Sequence, residues 1–428
     1  MTRRFYMTLR LFLALVLVVA AMTIASPAGA RGDIQTTGQP APRLAAFDAL
    51  VTRLLQKYEV PGAALAVVKN GHLVLARGYG LADVDRNEPV QPDSLFRIAS
   101  LSKPFTSAAI LTLVERGTLR LDERAFARLG LGEPTDPRVK TITIRHLLLH
   151  AGGWNRDDGG FDPMFIPLKA AKAVGAKPPA SCETVIRYML TQPLQVDPGS
   201  AMHYSNFGYC VLGRIIEKVS GERYDDYVRS AVLGPIGITR MRLGHTLLPE
   251  RAPGEVRYYN FPNAPLVRSV FPSLPGQVPS PYGGWNLEAM DSHGGWLASP
   301  IDLVRFIVHL DGTLNPAPLK PAPLKPATVA EMIAKPAGNL SSDPDVWYGL
   351  GWQVRRVGKD ASNWWHVGSL DGTTTLMVRT SQGMDWALLF NGSPRHQDQL
   401  IGEMDEGLWQ AAGTVREWPA RDLFNQYR

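Results

Sequence analysis

The 428-residue sequence predicts an α+β fold, with one antiparallel sheet built from both ends of the chain, flanking helices, and a helical insertion between the two halves of the sheet. Three observations carry this. Near the start, Ala63 to Val68 and His72 to Tyr79 are rich in small and β-branched residues and meet across Asn70-Gly71, a dipeptide suited to the positive φ of a tight hairpin. Close to the end, Tyr348 to Val354, Thr373 to Thr380 and Trp386 to Asn391 read as strands. Between them, apolar residues recur at helical spacing in Ser102 to Arg116, Ile144 to His150, Glu183 to Leu190, Asn206 to Ser220 and Ser299 to Leu310.

Taken in order, Arg3, Arg4 and Arg10 precede an apolar run from Leu11 to Ala25, and Ala28-Gly29-Ala30 follows as a small-residue cleavage site. This is the layout of a signal peptide over 1–30. The run is short of the roughly 20 apolar residues of a spanning helix, so no stable membrane anchor is expected after cleavage. Phe5 directly after the arginine pair makes a poor twin-arginine match. The chain is therefore expected to be exported, to the periplasm or the medium. Residues 31–43 read as a flexible segment. A single domain is expected over 44–415, with its α/β part from about 44–95 and 335–415 and its helical part from about 96–334, and then a C-terminal tail over 416–428. Its first helix carries Leu44, Phe47, Leu50, Leu54 and Leu55 and ends at Pro61-Gly62; a last helix spans roughly His396 to Ala411. The tandem Ala317-Pro318-Leu319-Lys320-Pro321 and Ala322-Pro323-Leu324-Lys325-Pro326 reads as an extended, exposed spacer.

An apolar content of 45% with 20% charge is ordinary for a folded protein. The formal charge of +6 falls to about +3 once the three N-terminal arginines are removed, too little and too dispersed for a nucleic-acid surface. Cys182 and Cys210 are the only cysteines. In an oxidising compartment a disulfide between them and two buried free thiols are both open. The sequence assigns no oligomeric state and calls for no cofactor.

Ser100-Leu101-Ser102-Lys103 places a hydroxyl and an amine three residues apart at the start of an apolar helix, so that the side chains share one face. Serine is a poor nucleophile unless a base takes its proton, and lysine can be that base only if its pKa is lowered. Tyr204-Ser205-Asn206 stands at another loop-to-helix entry, where a phenol near the lysine can shuttle protons. Tyr258-Tyr259-Asn260 is a rival with no helix after it. His366-Val367-Gly368 precedes a strand, and its glycine allows a substrate to lie close while the backbone N–H of Ser369 faces a developing oxyanion. Its rivals are His293-Gly294-Gly295 and Lys69-Asn70-Gly71, the latter already explained as the hairpin turn.

In order and spacing, these three elements resemble the serine β-lactamase and penicillin-binding-protein superfamily, in particular the branch of class C β-lactamases, D-Ala-D-Ala carboxypeptidases and β-lactamase-like esterases. The resemblance runs from about Leu44 to Ala411 and includes Phe96-Arg97-Ile98-Ala99 before the serine and Tyr348-Gly349-Leu350-Gly351-Trp352 before the last strands. It implies a sheet flanked by helices, an all-helical region, and an active site between them. It also implies Ser100 as nucleophile, Lys103 and Tyr204 as proton carriers, the N–H groups of Ser100 and Ser369 as the oxyanion hole, and Asn206 as the group that orients Lys103 and the substrate.

The third motif departs from the Lys-Thr-Gly usual in β-lactamases of this branch. A mostly neutral His366 beside Val367, which lacks a hydroxyl, is a weak site for a substrate carboxylate. An exported esterase-like hydrolase acting on a small-molecule or peptide-like ester or amide is therefore expected, with a D-Ala-D-Ala carboxypeptidase or β-lactamase as the alternative. Among Trp154, Tyr282, Trp285, Trp296, Trp364 and Trp365, Trp285 and Trp296 are the candidates for a substrate pocket. His146 and His150 have a zinc-ligand spacing, but without the glutamate after the first histidine a structural role is expected and no metal site is assigned. A non-catalytic cell-wall binding or sensor protein is the reading of another class.

Overall fold

Asn70 and Gly71 adopt φ of 49° and 79°, the positive values a two-residue hairpin turn requires. In this computed structural model, which describes residues 34–312, 323–338, 340–359 and 361–427, that hairpin is the N-terminal half of a nine-stranded sheet. Its strands are β1 (Thr36–Thr37), β2 (Gly62–Lys69), β3 (His72–Asp83) and β4 (Glu88–Pro89). Three short strands, β5 (Phe96–Arg97), β6 (Arg242–Leu243) and β7 (Trp296–Ala298), form a small separate sheet in the order β5-β7-β6. The C-terminal half of the large sheet is β8 (Val346–Tyr348), β9 (Gln353–Arg356), β10 (Ser362–Leu370), β11 (Thr373–Arg379) and β12 (Met384–Phe390).

The order is β1-β3-β2-β12-β11-β10-β9-β8, with β4 on β3 and every neighbouring pair antiparallel. The two ends of the chain join where Ala66 of β2 faces Ala387 of β12. The helices that frame the sheet and the site are α1 (Ala45–Tyr58), α2 (Ser102–Glu115), α3 (Cys182–Met189), α4 (Asn206–Ser220), α5 (Pro300–Asp311) and α6 (Gln397–Gly413). β12 is buried along its whole length, which requires cover on both faces of the sheet. α1 and α6 pack on each other and on the sheet, and α5 packs on β2, β11 and β12. No helix among the described residues is long and apolar enough to cross a membrane.

Several boundaries differ from expectation. α5, assigned by sequence to the helical part, covers the sheet, because periodicity shows that a helix has an apolar face but not what meets it. Its ends are well specified: the Ser299 hydroxyl accepts from the Asp302 N–H at 3.1 Å, the Asp302 carboxylate accepts from the Ser299 N–H at 3.0 Å, and Pro300 opens the first turn. The segment read as flexible is held at Thr36–Thr37, which pairs with Tyr79 and Gly78. The expected C-terminal tail is packed: Leu423 N–H donates to the Leu73 carbonyl at 2.9 Å, Asp422 accepts from Leu73 N–H at 3.1 Å, and Leu423 and Phe424 are buried. In the second copy of the tandem, Leu324 is buried and Pro326 opens a helix, so that part is no exposed spacer. The residues before it, 313–322, and the signal peptide lie outside the described residues.

Candidate active site

Ser100 sits in a 3-10 turn, Ala99–Leu101, between β5 and α2. Ala99 has φ of 47°, a left-handed conformation that is costly for a residue with a Cβ and is kept only where its surroundings impose it. Here Ile98 N–H donates to the Trp296 carbonyl at 3.0 Å, and the Ile98 carbonyl accepts from the Thr375 hydroxyl at 3.1 Å. Gly368 completes the fit. A Cβ at that position would lie 2.4 Å from the Ile98 carbonyl oxygen and 2.2 Å from the Thr375 hydroxyl. The sequence reading gave this glycine to the substrate; in the structure the space on that side is filled by the turn that carries Ser100.

Lys103 is fully buried in the first turn of α2. Its Nζ lies 3.0 Å from Ser100 Oγ, 2.8 Å from Asn206 Oδ1 and 3.0 Å from the His293 carbonyl. The last two atoms can only accept. A neutral amine has two N–H bonds and one lone pair, so satisfying both acceptors aims the lone pair at the Ser100 hydroxyl. Burial pushes Lys103 well below the ordinary lysine range, Arg156 adds to that shift, and Asp162 opposes it.

Tyr204 and Ser100 face the same cleft, and Lys103 Nζ stands 4.7 Å from the centre of the Tyr204 ring. Burial holds the phenol well above its usual value, so Tyr204 enters the reaction protonated. Its loop is tied down by His150, whose carbonyl accepts from His203 N–H at 2.8 Å and whose Nδ1 accepts from Ser205 N–H at 3.1 Å. A ring nitrogen that accepts carries no proton, so His150 is protonated at Nε2. A disulfide between Cys182 of α3 and Cys210 of α4 braces the helix that carries Asn206.

Asp162 was not singled out by sequence, since nothing local marks it and it lies 44 positions from its partner. Its Oδ2 accepts from Asn206 Nδ2 at 2.7 Å, which fixes the amide so that Oδ1 faces Lys103. Asp162→Asn is expected to lower kcat about tenfold or more, the worth of a hydrogen bond to a charged group. Because Asp162 raises the Lys103 pKa, its loss lowers that pKa further, and the acid limb of kcat/KM moves to lower pH. A pH-rate profile of the variant checks this; an acid limb that stays in place contradicts the link.

His366 is buried, and burial lowers it to about 3, with Lys103 acting in the same direction whenever it is protonated. Its Nδ1 lies 2.7 Å from the Val367 carbonyl, which can only accept, so Nδ1 carries the proton and Nε2 accepts from the Tyr348 hydroxyl at 3.0 Å. Both ring nitrogens are thus engaged and the ring is neutral. A cleft of about 360 Å³ is lined by Ser100, Tyr204, Asn206, His366, Ser369 and Arg156, among others. The Ser369 hydroxyl donates to Gln397 at 2.5 Å.

Trp285 and Trp296 do not line this cleft, contrary to expectation. Both are buried, Trp285 with the Arg97 guanidinium 5.4 Å from its ring and Trp296 donating from Nε1 to the Tyr224 hydroxyl at 2.9 Å. Large aromatics are drawn into packing by the apolar area they bury, and the polar end of Trp296 finds a partner as well. The rival motifs also find their places. Tyr258 accepts from Arg97 N–H at 2.8 Å and donates to Glu255 at 2.8 Å, bracing β5, while His293 offers its carbonyl to Lys103. His146 and His150 accept from the backbone N–H groups of Thr143 and Ser205. Among the described residues, the one group spaced to share a metal ion is His245, Glu250 and Glu288, which is exposed and not part of the cleft.

The Beta-lactamase family profile matches residues 47–406. A penicillin-binding protein of Bacillus subtilis (strain 168) is 27% identical over 335 residues, covering 77% of this chain and 67% of that protein. In fold, the chain is similar to the D-amino acid amidase of Ochrobactrum anthropi SV3, with a TM-score of 0.65, 23% identity, and coverage of 88% of this chain and 100% of the amidase. It is likewise similar to EstCE1, a hydrolase with promiscuous acyltransferase activity, at TM-score 0.65, 18% identity, and coverage of 86% and 99%. Matched over most of its length, and carrying Ser100, Tyr204 and His366 of the three motifs around one cleft with the buried Lys103 against Ser100, this chain belongs to the beta-lactamase family and is a serine hydrolase of the β-lactamase and penicillin-binding-protein superfamily.

Proposed function

We propose that the protein is an exported hydrolase that cleaves an ester or amide through an acyl-enzyme on Ser100, with esterase activity favoured. The observation that carries this is the buried Lys103 amine, held by two acceptors so that its third tetrahedral direction meets Ser100 Oγ at 3.0 Å. Lys103 takes the hydroxyl proton as Oγ bonds to the carbonyl carbon, and the carbonyl oxygen gains charge facing the N–H groups of Ser100 and Ser369. As the tetrahedral intermediate collapses, Tyr204 gives its proton to the leaving oxygen or nitrogen and recovers one from the Lys103 ammonium. Water then attacks the acyl carbon by the same steps, its proton passing to Lys103, and Ser100 is released.

The neutral His366 and the hydroxyl-free Val367 support a substrate without a carboxylate on the sheet side of the cleft. The family match and the relationship to a penicillin-binding protein favour, as second reading, a D-Ala-D-Ala carboxypeptidase or β-lactamase. The basic, apolar and small-residue pattern over 1–30 supports export. Initial rates on short p-nitrophenyl esters, nitrocefin and a D-Ala-D-Ala peptide test the proposal. Esters are expected to lead in kcat/KM by about tenfold or more, the worth of one charge-assisted hydrogen bond. Faster cleavage of nitrocefin or the peptide selects the second reading, and a failure of Ser100 to label with an active-site serine probe would leave a non-catalytic binding protein.

A further inference from the structure

Beside the catalytic cleft lies a second cavity of about 190 Å³, and Arg156, Tyr204 and Asn206 line both. Its other walls include the apolar side chains of Trp154, Phe161 and Phe207. Arg156 is therefore at the junction, with its guanidinium 5.5 Å from the centre of the Tyr204 ring and its side chain 46% exposed.

This guanidinium makes no hydrogen bond to any described residue. The two carboxylates near it stand outside hydrogen-bond reach, Asp157 at 3.7 Å and Asp162 at 4.0 Å, and Asp162 is already engaged by Asn206 and by Met164 N–H. A guanidinium has five N–H donors arranged to grip a carboxylate with two of them. Among the described residues lining the cleft, Arg156 is the one permanent cation and Asp398 the one carboxylate. The position where relatives of this branch carry a lysine holds His366, neutral and with both nitrogens committed.

We propose that Arg156 is an anion-recognition residue that selects substrates with a carboxylate on the group lodged against the helical wall, joined to the reacting carbonyl by an apolar segment. The second cavity suits that segment, and Asp398 disfavours the reverse orientation. This rests on the reading of Ser100 as nucleophile only for its kinetic part.

The matched probes are mono-4-nitrophenyl adipate and 4-nitrophenyl hexanoate, which share a six-carbon acyl chain and differ in the terminal carboxylate. Arg156→Gln is expected to lower kcat/KM for the adipate ester about tenfold more than for the hexanoate ester, through KM, with Arg156→Lys recovering part of the difference and added salt narrowing it. If Arg156 acted only by lowering the Lys103 pKa, both esters would suffer equally, and that result overturns the proposal. Calorimetric titration of both esters into Ser100→Ala reads the site without turnover. The adipate ester should bind about tenfold more tightly than in Ser100→Ala/Arg156→Gln. Equal or undetectable binding overturns the anion site and leaves hydrolysis of the hexanoate ester by Ser100 standing. A tenfold difference in binding with no turnover by the unmodified protein preserves the site and removes the hydrolase reading instead.

Discussion

Replacing Ser100 by alanine is expected to remove turnover by on the order of 10⁵-fold while the protein stays folded. The loss is large because nucleophile and base act as one unit: without Oγ no acyl-enzyme forms, and the Lys103 lone pair has no proton to take. The fold should tolerate the change. Ser100 is only half-buried, Lys103 keeps Asn206 and His293, and the strained Ala99 turn is held by Trp296 and Thr375 rather than by the serine hydroxyl. Thermal unfolding should move by no more than about 1 kcal/mol in stability. Retained ester turnover in the variant would remove Ser100 from its role, and a collapsed melting transition would show that the serine holds the turn together.

The second large effect is on stability in acid. His366, His150 and His293 are all buried, and burial lowers each below its ordinary value, His366 to about 3, with Lys103 acting in the same direction once it is protonated. The unfolded chain takes up these protons near pH 6.5 while the folded protein refuses them. Their stabilising contribution is therefore complete above about pH 6.5 and falls as the pH drops, for His366 until about pH 3. Each histidine in that window removes about 1.4 kcal/mol per pH unit. Glu255 and Asp302, raised by burial, run in the opposite direction, so the informative comparison is with a histidine variant. Relative to the unmodified protein, His366→Gln should gain roughly 2 to 3 kcal/mol between pH 6 and pH 4 in denaturant unfolding. A pH-independent difference would mean that His366 is protonated in the folded state.

The same three histidines show where reading the sequence reaches its limit. His150 was visible as one end of a His-Leu-Leu-Leu-His segment and His293 as a rival to the third motif, yet their tasks emerge only from what they touch. His150 ties down the loop of Tyr204, and His293 lends a carbonyl to Lys103. Trp285 and Trp296 failed as pocket residues because an aromatic side chain looks the same in sequence whether it faces a cleft or packs on buried neighbours, Arg97 for Trp285 and Tyr224 for Trp296.

What the sequence determined by itself is what local patterns encode: a hairpin at Asn70-Gly71, strands at both ends, helices between them, and a serine and lysine one helical turn apart. These depend on φ preferences and on periodicity over a few residues. The tertiary structure alone decided which helix covers the sheet, that the last residues pack along β3, that Cys182 and Cys210 are joined, and that Asp162 and Arg156 belong to the site. Each of these is a contact between residues far apart in the chain, set by how buried surfaces fit together, and no local preference records it.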